Sequence, residues 1–134
     1  AEEIKIAVGS AYAVNEGIRA EVRGRDVSSG LPKTVILTPA EIRLAIDEPV
    51  TAMMDSVVKC LGQAPPELSH DLIGQGISLV GGGSLLAGFA QRLAEETDLP
   101  VNLVGAPLES VVLGAGKCLE SFDTLKVMFM RADR

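Results

Sequence analysis

The stretch Leu79-Val-Gly-Gly-Gly-Ser-Leu-Leu86 sets three consecutive glycines between a short apolar run and the first residues of an amphipathic segment. Glycine loses more conformational freedom on folding than any other residue, so a triplet at an element boundary implies that backbone must come close to something there. That something is either a ligand or the turn itself. The apolar run Ile77 to Val80 reads as a buried strand and Leu85 to Thr97 as a helix, which makes the triplet a strand-to-helix turn. Backbone N–H groups at such a helix start favour an anion or a polar nucleotide group. Neither phosphate-binding pattern is present, however: GxxxxGK[ST] is absent, and GxGxxG counted from Gly81 meets Leu86 at its sixth position. Motif grammar therefore leaves ligand contact and tight packing both open.

Working outward, an α/β style continues with a strand Val101 to Val104, a Gly-Ala-Pro loop and a helix Leu108 to Phe122. Upstream the style differs. Residues 2 to 13 read as a helix with Ile4, Val8 and Ala11 on one face. Its pattern is already under way at Ala1, which predicts either a start further upstream or an initiator Met removed ahead of alanine. From Gly17 to Val27 the period becomes two, with Ile18, Ala20 and Val22 on one side and Arg19, Glu21, Arg23 and Arg25 on the other. A turn at Ser28-Ser29-Gly30 and a strand Thr34 to Leu37 complete a hairpin with one wet face. Thr38-Pro39-Ala40-Glu41 is a capping box with proline at the first helical position. The helix that follows should bury Ile42, Ala45, Ile46, Met53, Val57 and Leu61, and Pro49 should kink or split it. Pro65-Pro66 opens a short helix, Glu67 to Ile73, which the glycines at 74 and 76 stop.

A chain of 134 residues is the size of one domain and buries roughly two-thirds of its surface. Its 47% hydrophobic content exceeds what a lone domain of this size needs, which implies apolar faces meant for further chain or a partner. A net charge of −6 provides no broad basic field for nucleic acid or an anionic membrane. Cys60 and Cys118 form no CxxC pair and fit buried free thiols in a reducing, cytoplasmic compartment. No apolar run approaches the roughly 20 residues of a spanning helix. His70, the only histidine, lacks neighbours at metal-ligand or catalytic spacing and reads as a surface or capping residue. Asp47-Glu48 and Glu95-Glu96 point apart on helices and read as solvated faces rather than acid–base pairs.

Five ordered segments carry a resemblance: AEEIKIAVGSAY from Ala1, EVRGRDVSSGLPKTV from Glu21, PPEL from Pro65, ISLVGGGSLLAGFAQRLAEETDLPV from Ile77 and PLESVVLGAGKCLE from Pro107. Together they are similar to the C-terminal part of the MreB-like bacterial actins, the rod shape-determining family, across essentially the whole chain. The resemblance implies a partial actin-like (ribonuclease H-like) α/β fold: the second lobe with its small α+β subdomain, plus C-terminal helices. Residues 1–11 would be a helix of the large subdomain, 12–74 the small subdomain, 75–107 the large α/β subdomain, and 108–134 helices linking to lobe one. It also implies a cytoplasmic, filament-forming protein at the inner face of the cell membrane, peripherally attached, that binds ATP or ADP with Mg²⁺ and meets cell-wall synthesis and membrane-associated shape proteins.

In that family Gly81, Gly82 and Gly83 would form the adenosine motif, where a Cβ would clash with the nucleoside. Glu2 and Lys5 would reach the ribose and adenine from the other side, the alternative for them being an ordinary i, i+3 ion pair. Gly114-Ala115-Gly116 would allow close helix crossing between lobes. The phosphate loops, metal-linked aspartates and water-positioning glutamate belong to the family's N-terminal part, so this chain should hydrolyse no ATP alone. The tail Phe122 to Arg131 should pack on lobe one, or else lie on a bilayer. Two other functions stay open. One is a small-molecule kinase of the same superfamily, which needs a substrate-orienting aspartate that cannot be assigned here. The other is a shortened filament-contact module without nucleotide.

Overall fold

The computed structural model describes residues 1–13 and 17–129, with side chains up to residue 126. Helix α1 spans Glu2–Val8, followed by β1 Ala20–Arg25, β2 Pro32–Leu37, α2 Pro39–Leu61 and α3 Pro66–Gln75. Then come β3 Ile77–Leu79, a 3-10 turn Gly82–Leu85, α4 Phe89–Thr97, β4 Val101–Leu103, α5 Ser110–Glu120 and α6 Phe122–Phe129.

The first helix is shorter than its apolar pattern predicts because Gly9 leaves it in extended backbone at φ −68, ψ 137. Ala11 is nonetheless 3% exposed. It earns that burial as an extended residue: its N–H donates to the Ala87 carbonyl at 2.7 Å, beside a parallel bridge from Ser10 to Ala87. A periodicity of three to four positions and a short extended segment coincided here.

The hairpin forms as its alternation requires, antiparallel with Ala20 opposite Leu37 and Arg25 opposite Pro32. Asp26 organises the turn. Its Oδ1 accepts from the backbone N–H groups of Ser28 and Ser29, and its Oδ2 from Lys33 Nζ at 3.1 Å. The Ser29 N–H above all, with Lys33, holds the Asp26 carboxyl below the usual carboxylate range. Gly30 follows at φ +71, a conformation that suits glycine.

The capping box of α2 is complete: Glu41 N–H donates to Thr38 Oγ1, and Thr38 N–H donates to Glu41 Oε2 at 2.9 Å. Replacing Thr38 with alanine is expected to cost about 1 kcal/mol, read as a lower urea midpoint at unchanged slope. Accepting the Thr38 N–H holds the Glu41 carboxyl below its ordinary value. Its contribution is therefore present at neutral pH and lost as pH falls through the carboxylate range.

Pro49 does not split the helix, which runs 23 residues through it. The helix is held from outside. Val50 and Met54, just past the proline, are 2% and 0% exposed, and their packing outweighs the missing backbone bond. The buried stripe also differs from expectation, since Val50 and Met54 are its centre, Ala45 is exposed and Met53 is 43% exposed. Ile42, Ile46, Val57 and Leu61 are half-buried as predicted.

Downstream, α3 runs through Gly74 and stops only at Gly76, at φ +75. The next helix begins at Phe89 rather than Leu85, because the glycine triplet feeds a four-residue 3-10 turn and Gly88 sits left-handed at the cap. Strands β3 and β4 pair in parallel, Ile77 opposite Val101 and Leu79 opposite Leu103. The core lies between α2, α4 and this pair: Ala11, Val50, Met54, Phe89 and Leu93, flanked by half-buried Ile46, Ile77, Leu79 and Val101. Such a core is small for 134 residues. The apolar surplus is outside, above all on α5 and α6, where Val111 is 81%, Leu119 75% and Phe122 54% exposed. Of the two thiols, Cys118 is half-buried while Cys60 is exposed, against the expectation that both are buried. The cause is local: Cys60 stands on the last turn of α2, beyond the stripe that meets the core.

Candidate functional site

The glycine triplet closes one end of a cleft of about 560 Å³. Gly82 and Gly83 supply its backbone floor, Pro49, Val50 and Met53 of α2 form an apolar wall, and Glu2 and Lys5 of α1 stand at its polar rim. Residues far apart in sequence thus face one space.

The three glycines do different things. Gly81 makes the turn: it sits at φ +78, its N–H donates to the Pro107 carbonyl at 2.7 Å, and its own carbonyl accepts from Ser84 Oγ at 2.6 Å. It is not among the residues lining the cleft. An added Cβ on Gly83 would meet nothing within 4 Å, so that position opens onto free space. On Gly82 it would come 3.3 Å from Leu108 Cδ2, a side-chain tip that is itself at the cleft and 64% exposed. No α-helix begins at the triplet, which enters a four-residue 3-10 turn, Gly82–Leu85, instead. Gly81 and Ser84 N–H groups are spent within the turn and on its neighbour Pro107.

Glu2 and Lys5 pair at 2.8 Å, with side chains 69% and 46% exposed. An exposed i, i+3 pair contributes little to stability, so either group can turn toward a ligand at small cost. The cleft offers one carboxylate acceptor, one ammonium donor, bare glycine backbone and apolar walls. A flat, partly polar group such as a purine nucleoside fits that set: apolar faces for the ring, polar atoms for its edge and a sugar.

The α2 wall was not anticipated. Met53 was expected in the core and Pro49 only as a breaker, yet both line the cleft. A signal existed: apolar residues at 46, 49, 50, 53 and 54 span a stripe too broad for one core contact. Around Gly114 and Gly116, by contrast, an added Cβ would have no neighbour within 4 Å from another element among the described residues. His70 is exposed. The acidic pairs are not idle faces, because Asp47 and Glu96 both bind Arg92 and Glu95 accepts from the Tyr12 hydroxyl. That bond to Glu95 raises the Tyr12 pKa. Among the described residues no helix is long and apolar enough to cross a membrane.

The fold recurs in solved structures. MreB5 of Spiroplasma citri bound to ADP superposes with a TM-score of 0.84 at 28% identity, covering 90% of this chain and 37% of that one. The same protein bound to AMPPNP matches over 92% of this chain, again with a TM-score of 0.84. The fold is therefore an actin-like α/β fold, partial relative to those longer proteins. The sequence model of the MreB/Mbl protein family matches residues 1–127, and the chain belongs to that family. It is 43% identical over 123 residues to the cell shape-determining protein MreB of Escherichia coli K12, covering 92% of this chain. To the cell shape-determining protein Mbl of Bacillus subtilis 168 it is 38% identical over 125 residues, covering 93% of this chain. The chain spans 35% and 38% of the length of those two relatives.

Proposed function

We propose that this chain supplies one side of the nucleotide cleft of a filament-forming bacterial actin, holding the nucleoside of ATP or ADP. The observation that carries the reading is the convergence of Glu2, Lys5, Gly82 and Gly83 on one apolar-walled cleft. Family membership supports it, as do neighbours whose structures contain ADP and AMPPNP. In this reading Gly82 and Gly83 lie against the nucleoside, Gly81 shapes the turn, and Glu2 and Lys5 reach the ribose and adenine edge. Phosphate and Mg²⁺ would be held by parts of the protein outside these residues, so the chain alone hydrolyses no ATP.

The same proposal covers the wider role: a cytoplasmic protein whose filaments lie at the inner face of the membrane and guide wall synthesis with membrane-associated shape proteins. Residues 1–11 and 75–107 would form the large subdomain and 12–74 the small one. Residues 108–134 would link to lobe one, the last five lying outside the described residues. The exposed apolar face of α5 and α6, with Val111, Val112 and Leu119, supports that linking role.

Equilibrium binding of ADP to the chain tests the reading. Saturable binding that adenosine displaces is expected, with a loss of at least about tenfold on Gly83→Val, about 1.4 kcal/mol. Because a Cβ at 83 meets no protein atom within 4 Å, that loss reports on the ligand rather than the fold. Binding that adenosine fails to displace, or that Gly83→Val leaves unchanged, would overturn the proposal.

A further inference from the structure

Helix α2 forms the cleft wall at the turn that carries Pro49. Pro49 has no N–H to give the Ala45 carbonyl, and its ring crowds that same carbonyl, yet Pro49, Val50 and Met53 must hold the wall in place. Across the helix from that wall stands Arg92 of α4. Its Nη1 donates to Asp47 Oδ1 at 2.8 Å, its Nη2 to Thr51 Oγ1 at 2.8 Å, and its Nε to Glu96 Oε1 at 3.0 Å. Asp47 and Thr51 are one helical turn apart and straddle Pro49. The guanidinium thus spans Asp47 to Thr51, a turn that overlaps the Ala45–Pro49 turn where the backbone bond is missing.

We propose that Arg92 is a positioning residue for the cleft, splinting the proline-interrupted turn of α2 so that its opposite face keeps the shape of a ligand wall. The proposal rests on the nucleotide reading above. Three features make the splint stiff. The guanidinium side chain is 18% exposed and is held on three sides, while its carboxylate partners Asp47 and Glu96 stay in contact with water. Its planar fork fixes the directions of two N–H groups at once, which a lysine ammonium cannot reproduce. Its own helix is anchored next door by Leu93, which is 0% exposed, while Glu96 one turn on holds the Nε edge. Arg92 therefore ties α4 to the Asp47–Thr51 turn of α2.

The test combines ADP binding with hydrogen exchange of the amides from Val50 to Met54, on the wild-type chain, Arg92→Gln, Arg92→Lys, Pro49→Ala and the Pro49→Ala/Arg92→Gln double variant. Arg92→Gln and Arg92→Lys are expected to weaken ADP binding about tenfold and to speed exchange in that turn by a similar factor. Measured against the Pro49→Ala single variant, the double variant should show little further loss in either, because alanine restores the backbone donor. A general stabilising role for Arg92 would give no such rescue, and equal losses with and without Pro49 would overturn the proposal, as would unchanged affinity and exchange in Arg92→Gln. If the wild-type chain binds no ADP, the nucleotide reading fails on that result, and exchange alone judges the splint. Faster exchange in Arg92→Gln that depends on Pro49 then upholds it, and unchanged exchange overturns it.

Discussion

Truncating Leu93 to alanine is expected to lower the unfolding free energy by about 3 kcal/mol, enough to remove a large share of a small domain's stability. Leu93 is 0% exposed at the centre of a core that also holds Val50, Met54 and Phe89. Removing three heavy atoms there forfeits their transfer from water and leaves a cavity that two helices and a short sheet cannot close. The core has little redundancy, so the melting midpoint should fall by about 10 °C or more. Val111→Ser on α5 is the matched control. At 81% exposure it should change stability by no more than about 0.5 kcal/mol, despite removing an apolar side chain of similar character. A loss at Leu93 below about 1 kcal/mol would mean that the α2–α4 contact is not the centre of the fold.

The second large effect is expected at Gly76. Its backbone sits at φ +75, ψ −164, a region essentially closed to residues with a Cβ, and an added Cβ would fall 2.2 Å from the Pro100 carbonyl oxygen. That oxygen accepts the Ile77 N–H at 2.8 Å and so begins the β3–β4 pairing. Gly76→Ala must therefore strain its own backbone or push β4 away, at about 3 kcal/mol or more. Since β3 leads directly into the glycine turn, the ADP binding proposed above should weaken along with stability. Gly74→Ala, two residues earlier, should do the opposite. It lies within α3, a Cβ there has no neighbour within 4 Å, and alanine should stabilise the helix by about 0.5–1 kcal/mol. If both variants behaved alike, the assignment of Gly76 as the obligate stop would be wrong.

These two glycines illustrate how far local chemistry carries. Both are stop signals on paper, and only backbone geometry separates a helix-tolerated glycine from one pinned against Pro100. The hairpin and the start of α2 were legible because their determinants are neighbours in the chain. Alternation from Ile18 to Arg25 needs only a half-buried pleat, and Thr38 with Glu41 satisfies its own helix end. Ala11 misled for the converse reason. Its burial comes from pairing beside Ala87, a partner no window of a dozen residues contains.

The site shows the same division. That Gly82 and Gly83 lead into an open space was foreshadowed by the triplet, and Glu2 and Lys5 came from a family resemblance; nothing in their spacing requires that they share a cleft with Pro49 and Met53. The wall of α2 was hidden because two apolar stripes, one for the core and one for the cleft, overlap on a single helix. Arg92 was hidden because a charged residue on an amphipathic helix has many exposed positions open to it, and only packing brings it across to Asp47 and Thr51.

By itself, then, the sequence determined the mixed α/β class, the capping box, the hairpin, the strand–glycine–helix order and an apolar surplus beyond what one small domain can bury. These follow from backbone preference and side-chain period, which act over a few residues. Only the tertiary structure decided that α2 passes unbroken through Pro49, that Gly81 turns while Gly82 and Gly83 face the cleft, and that α1 meets them from the far end of the chain. Those outcomes depend on which surfaces compete successfully for burial, a balance of long-range contacts that no local propensity encodes.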